Sequence, residues 1–301
     1  MAFFWAKTRQ DGGVNYSGTL NLETTAILTQ LRGLGVELGA IAVADELGST
    51  NVELAHAVVA DPDTWHAPAL LAARHQSAGR GRLERNWITP ANSALTFSLY
   101  LEPDLAPTAF TWVPLLVGTA VAEHLRGAYG VAAQVKWPND VVVHTTAPNA
   151  PGWLGLRKLG GILVERVGER GLIVGVGLNV CQREGELPVA SAISLELVGL
   201  EDAAGQTGHG NTLLAGMVAG IVENLGQLEA AHGDAHHAGL AARCLAASVT
   251  IGAQVRAELT DGRTVTGVAQ ALAPNGGLIV VGDDGVESVV TSGDVYHLRL
   301  N

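Results

Sequence analysis

The sequence predicts an α+β protein, a large domain of interleaved strands and helices followed by a small all-β barrel. Three observations lead to that class. The chain has 301 residues, 48% of them hydrophobic, which is enough for a sizeable core. Its length suits one large domain plus a small one, or two of moderate size. Between residues 39 and 246, short alternating apolar runs are interleaved with helical patterns. From Ser248 onward the texture changes to short strands separated by Asp261-Gly262, Pro274–Gly277 and Asp283–Gly285, the pattern of a small barrel. The expected division is an N-terminal extension (1–37), a large domain (38–247) and the barrel (248–301).

The first 35 residues are Gly-rich and weakly patterned, with one short helix expected near 22–32. GAIAVADEL (39–47) reads as the first strand and runs into Ser49-Thr50-Asn51. Thr50 with Glu53 three residues on fits a capping box, which places Ser49–Asn51 on a strand-to-helix corner. ALLAARH (69–75) is a second strand, and SALTFSLYL (93–101) alternates as a third. A helix is expected from about 108 to 127, after Pro107. AQVKW and DVVV form a strand pair interrupted by Pro138. LGGILVERV and GLIVGVGLNV read as a hairpin with its turn at 168–171, and 206–246 reads as helical.

Eighteen Lys+Arg stand against 29 Asp+Glu, a net charge of -11. That balance disfavours a general nucleic-acid or membrane-surface binder and suits a local basic site for a small anion. Two cysteines, Cys181 and Cys244, without CxxC spacing point to a reducing compartment. The N-terminus lacks a signal h-region, and no run of 18 apolar residues occurs, so a cytoplasmic location is expected.

Two stretches carry the chemistry. GRGRLERNW (79–87) supplies Arg80, Arg82 and Arg85, planar always-charged donors suited to phosphate or carboxylate oxygens. Gly79 and Gly81 give that loop a pliable backbone, and Trp87 offers a flat apolar face for a ring such as adenine. Read alone, this stretch is equally well a solvated charged turn. In KWPNDVVV (136–143), Lys136 is a compact cation suited to phosphate chemistry, and Asp140 could hold Mg2+ through water. Read alone, it is an ion pair with an Asx-type turn before a strand. KLGGILVE (158–165) and GVGLNV (175–180) place glycines inside strands, which marks a close approach of backbone or ligand. GVGLNV is not a dinucleotide fingerprint, because Val180 stands where a third glycine is needed. No GK dipeptide, GxSxG or HExxH occurs. His232, Asp234, His236 and His237 read as a polar helix face rather than a metal cluster.

Taken together, GSTN (48–51), HQSAGRGRLERNW (75–87), KWPND (136–140), KLGGILVE and GVGLNV resemble the biotin protein ligase family over about residues 38–300. The resemblance implies a mixed sheet flanked by helices, like that of class II aminoacyl-tRNA synthetases, in a catalytic domain at 38–247, with an SH3-like barrel at 248–301. It implies a two-step reaction, in which biotin and MgATP form biotinyl-5′-adenylate and a carrier-domain lysine then takes the biotin. Arg80, Arg82 and Lys136 would neutralise the reacting anions. Ser49, Thr50, Asn51, Gln76, Arg80, Gly81, Arg82, Lys136, Gly160, Gly161 and Ile162 would line the biotin site. Arg82, Arg85, Trp87, Asn139 and Asn179 would serve the nucleotide, with Asp140 near Mg2+. Glu84 stands where the family often has glycine, so Arg80 and Arg82 are expected to outrank Arg85. The acceptor implied is a biotin carboxyl carrier domain of acetyl-CoA carboxylase or a related carboxylase, and a homodimer is compatible. No DNA-binding role is expected from a Gly-rich extension without a basic recognition helix. Lipoate or octanoate transfer, and biotin sensing without catalysis, are the rival readings.

Overall fold

The computed structural model describes residues 20–146, 153–200 and 209–298. The chain divides into two compact units. The first comprises residues to Glu102 with Glu165–Pro188 and Ser194–Gly216, and the second comprises Pro103–Val164, Val189–Ile193 and the chain from Met217 onward.

In the first unit, helix α1 (Thr24–Gly33) precedes strand β1 (Ala40–Ala44), helix α2 (Thr50–Ala60), strand β2 (Ala69–Ala73) and strand β3 (Ala94–Leu101). Strand β7 (Gly171–Asn179) completes a mixed sheet of order β1-β2-β3-β7. β1 and β2 are parallel, while β2–β3 and β3–β7 are antiparallel. Leu54 and Val58 of α2 bury against Ala44, Leu71, Tyr100 and Ile173 of those strands. All eight residues of β3 are buried. The alternation read from the sequence is present, but the small polar face carrying Thr96 and Ser98 is covered rather than wet. Thr96 Oγ1 donates to the Ala73 carbonyl at 2.9 Å, which satisfies it where water is excluded.

The second unit begins with a 3-10 turn (Pro107–Trp112) and helix α3 (Val113–Tyr129). Strands β4 (Gln134–Lys136), β5 (Asp140–His144) and β6 (Leu156–Val167) follow, and the last three residues of β6 fall in the first unit. β4–β5 and β5–β6 are antiparallel. The turn after β6 brings Gly171 so close to the Val167 carbonyl, 2.6 Å from a would-be Cβ, that only glycine fits there. Helix α4 (His209–Ala230) and helix α5 (Leu240–Ala247) replace the single helix expected over 206–246, of which 206–208 lie outside the described residues. The break is local. His232, Gly233 and Gly239 have φ of 52°, 86° and 72°, and Asp234 Oδ1 accepts the backbone N–H groups of His236 and His237. The histidine-rich segment is therefore a turn, not a helix face.

The C-terminal sheet has the order β11-β10-β9-β8-β12, from β8 (Gln254–Glu258), β9 (Thr264–Leu272), β10 (Leu278–Val281), β11 (Glu287–Val290) and β12 (Asp294–His297). All four pairings are antiparallel. Gly262, Gly276 and Gly285 occupy positive φ in the three turns read from the sequence. No described helix is long and apolar enough to cross a membrane.

Candidate active site

The residues singled out by the sequence fall into two groups, one in each unit. In the first unit, Ser49, Thr50, Asn51 and Gln76 are all at most 9% exposed. The expected capping box does not form; Ser49 occupies the N-cap position without a side-chain bond. Instead, Gln76 Oε1 accepts the Thr50 backbone N–H at 2.7 Å and lies 3.0 Å from Thr50 Oγ1. The first orphan donor of α2 is thus met by a residue just past β2.

Ser98 of β3, missed in the sequence, lies fully buried beneath this corner. Its Oγ is 2.8 Å from Thr50 Oγ1 and 2.5 Å from Asn51 Oδ1. Each hydroxyl has one proton. Thr50 Oγ1 gives its proton to Gln76 Oε1, which can only accept, so the Ser98 proton is the one that faces both Thr50 Oγ1 and Asn51 Oδ1. Asn51 Nδ2 then donates to Glu165 Oε2 at 2.8 Å, and Glu165 Oε1 lies 3.4 Å from Arg80 Nη1. One chain of polar contacts therefore runs from Thr50 to a half-exposed guanidinium. The polar positions of the alternating strand SALTFSLYL were the available signal for Ser98, and the acidic end of KLGGILVE was that for Glu165.

The arginine loop is a small hairpin. Arg80 bridges Asn86, Trp87 N–H donates to the Gly79 carbonyl at 2.8 Å, and Gly81 N–H donates to the Arg85 carbonyl at 2.6 Å. Arg82 begins a 3-10 turn, Arg82–Glu84. The glycines serve contact here: a Cβ at Gly79 would strike the Trp87 carbonyl, and one at Gly81 would lie 3.3 Å from the Arg85 carbonyl. Trp87 lies across β7, where a Cβ at Gly177 would meet its indole at 2.6 Å. Gly175 leaves room for Asn51 in the same way. Both strand glycines of GVGLNV thus clear a path for side chains of this group. Asn179, 3% exposed, accepts Gln182 Nε2 at 3.0 Å.

In the second unit, Lys136 is 6% exposed. Its ammonium donates to the Val295 carbonyl at 2.5 Å and lies 5.0 Å from the Trp153 ring centroid. Trp137 N–H donates to Thr250 Oγ1 at 3.0 Å, with His297 Nε2 3.4 Å from the same oxygen. Burial first, then the charge of Lys136 and then His144, push His297 down to about 4. Asn139 and Ile162 clamp each other, Asn139 Nδ2 to the Ile162 carbonyl at 2.8 Å and Ile162 N–H to the Asn139 carbonyl at 2.9 Å. Gly160 and Gly161 pair with Val141 and Asp140.

Asp140 lies 2.6 Å from the ammonium of Lys158, the first residue of KLGGILVE. Its charge is already answered, and among the described residues no group of three His, Cys, Asp or Glu could hold a metal ion. A Mg2+ carried in on nucleotide phosphates needs few protein ligands, and Asp140 is the carboxylate of this group that would meet it. Burial pushes the thiols of Cys181 and Cys244 up to about 11, far from nucleophilic use.

Residues 61–180 match the biotin/lipoate A/B protein ligase family, and 250–298 match the biotin protein ligase C-terminal domain. The biotin–[acetyl-CoA-carboxylase] ligase of Mycobacterium tuberculosis is 33% identical over 283 residues, 92% of this chain and 96% of that protein. The bifunctional ligase/repressor of Escherichia coli is 32% identical over 60% of this chain, but only 51% of its own length is spanned. A biotin protein ligase from Aquifex aeolicus, solved with biotin and ATP, aligns with a TM-score of 0.65 at 25% identity, over 87% of this chain and 99% of that one. Fold and motifs thus define a cofactor-attaching ligase. The chain belongs to the biotin protein ligase family.

Proposed function

We propose that this chain activates biotin with MgATP and passes it to a lysine of a biotin carboxyl carrier domain. The biotin carboxylate attacks the α-phosphorus, the bond to the bridging oxygen breaks, and pyrophosphate leaves with that electron pair. The carrier lysine, as free amine, then attacks the acyl carbon of the mixed anhydride; an amide forms, AMP departs, and the amine proton is lost.

The observation that carries this reading is the polar chain in the first unit that runs from the buried Thr50 to the half-exposed Arg80. A cluster of Ser49, Thr50, Asn51 and Gln76 suits a ureido group, whose N–H and carbonyl need partners once water is excluded. Its far end is a cation suited to a carboxylate or phosphate. Attack of an anion on a polyphosphate is slow until charge is neutralised, and Arg80, Arg82 and Lys136 are assigned to that task. Lys158 joins them, because it is the more exposed ammonium of the second unit, 26% exposed and steadied by Asp140. Trp87, Arg85, Asn139 and Asn179 are assigned to the nucleotide, with Asp140 beside its Mg2+. Backbone at Gly81 and along Gly160, Gly161 and Ile162 is assigned to biotin.

Domain limits of 38–247 and 248–301, a cytoplasmic location, an acetyl-CoA carboxylase or related acceptor and a homodimer belong to the same proposal. Exchange of labelled pyrophosphate into ATP tests the first step. Exchange is expected with biotin and absent without it. Equal exchange with lipoate, or none with either acid, would refute the assignment.

A further inference from the structure

Glu165 stands near the end of β6 with its two carboxylate oxygens committed to different elements. Oε2 accepts Asn51 Nδ2 at 2.8 Å, on helix α2, and Oε1 faces Arg80 Nη1 at 3.4 Å, on the arginine loop. Asn51 is nearly inaccessible and packs over Gly175 of β7, whereas the Arg80 side chain is 51% exposed. The amide orientation of Asn51 follows from its partners. Ser98 occupies Oδ1 at 2.5 Å, so Nδ2 must face an acceptor, and Glu165 provides it. One carboxylate thus touches both the corner assigned to the biotin head group and the cation assigned to the reacting anions.

We propose that Glu165 is a positioning residue for adenylation, holding the Arg80 guanidinium in register with the Asn51 carboxamide. The proposal rests on the biotin-ligase reading above. A carboxylic acid substrate ionised at neutral pH has no proton to surrender, so the step needs no general base and Glu165 is not used as one. Its service is geometric. An arginine on a half-exposed loop has many rotamers, and ordering one of them before the anion arrives removes that cost from the binding step. The guanidinium carries five N–H donors, so an Nη group turned to Glu165 leaves the fork able to meet a second anion. The long, partly exposed contact is weak in itself, which suits an orienting partner that must not compete with substrate.

A double-mutant cycle on the whole chain tests this, reading biotin-dependent pyrophosphate exchange in wild type, Glu165→Gln, Arg80→Ala and the double variant. Glutamine keeps an oxygen for Asn51 but turns an amide N–H toward Arg80. Glu165→Gln is expected to lower kcat about tenfold while moving the biotin KM less than about twofold, and to cost less than about twofold once Arg80 is already alanine. Loss by the same factor in both backgrounds, or loss confined to the biotin KM, overturns the role. Should Glu165→Gln not fold, Glu165→Asp, which keeps the charge but shortens the reach, is expected to show the same non-additivity, and an additive result there overturns it equally. A wild-type chain without biotin-dependent exchange sinks the functional reading itself, whereas additive losses in an active chain sink only the role of Glu165.

Discussion

Glu84 sits at φ 58°, in the left-handed region, directly after Leu83 at φ 53°. A residue with a Cβ is strained there. Glu84→Gly is expected to stabilise the chain by about 1 kcal/mol, read as a shift of the urea midpoint at unchanged slope; a lower midpoint would show that the carboxylate contributes more than the strain costs. The same residue shows what the sequence could reveal. GRGR and KWPND were legible as charged motifs, because the residues of one motif are adjacent in the chain. Glu165, Ser98 and Lys158 were invisible as partners, because Asn51 and Glu165 are 114 residues apart in sequence and meet only in the folded chain. A carboxylate in a strand announces a charge, not whose charge it answers.

Elements were legible where the pattern was local. The three barrel turns, the strand character of GVGLNV and the hairpin turn after β6 follow from Gly placement and alternation. The helix read over 206–246 failed at its middle, because Ala-rich flanks outweighed His232-Gly233, whose left-handed backbone ends α4. The capping box failed for a different reason: Thr50 has a tertiary partner in Gln76, which local propensity cannot see. On β7, the glycines are spaces reserved for other side chains. Gly177→Ala is expected to push the Trp87 indole aside, costing about 1–3 kcal/mol in stability and raising the KM for ATP more than that for biotin. Unchanged kinetics in a folded variant would detach Trp87 from the nucleotide.

At the scale of the whole molecule, His297 ties stability to acidity. Its folded value of about 4 lies below the ordinary 6.5, so the unfolded chain binds more protons between those limits. Stability is therefore full above pH 6.5 and falls as pH drops through that window. At pH 5 the His297 contribution to the loss is about 2 kcal/mol relative to pH 7. His124, also pushed down by burial, acts in the same direction. Urea titrations at the two pH values are expected to show a smaller pH difference for His297→Gln than for wild type. An unchanged difference would mean that the imidazole is not what acid attacks.

This chain links an acid to an amine at the expense of ATP. Intact mass of a purified biotin carboxyl carrier domain, incubated with this protein, biotin and MgATP, measures that directly. The carrier is expected to gain one biotin less one water at its acceptor lysine, and to gain nothing when ATP is omitted. A carrier of unchanged mass, beside a protein that binds biotin and remains folded, would contradict it.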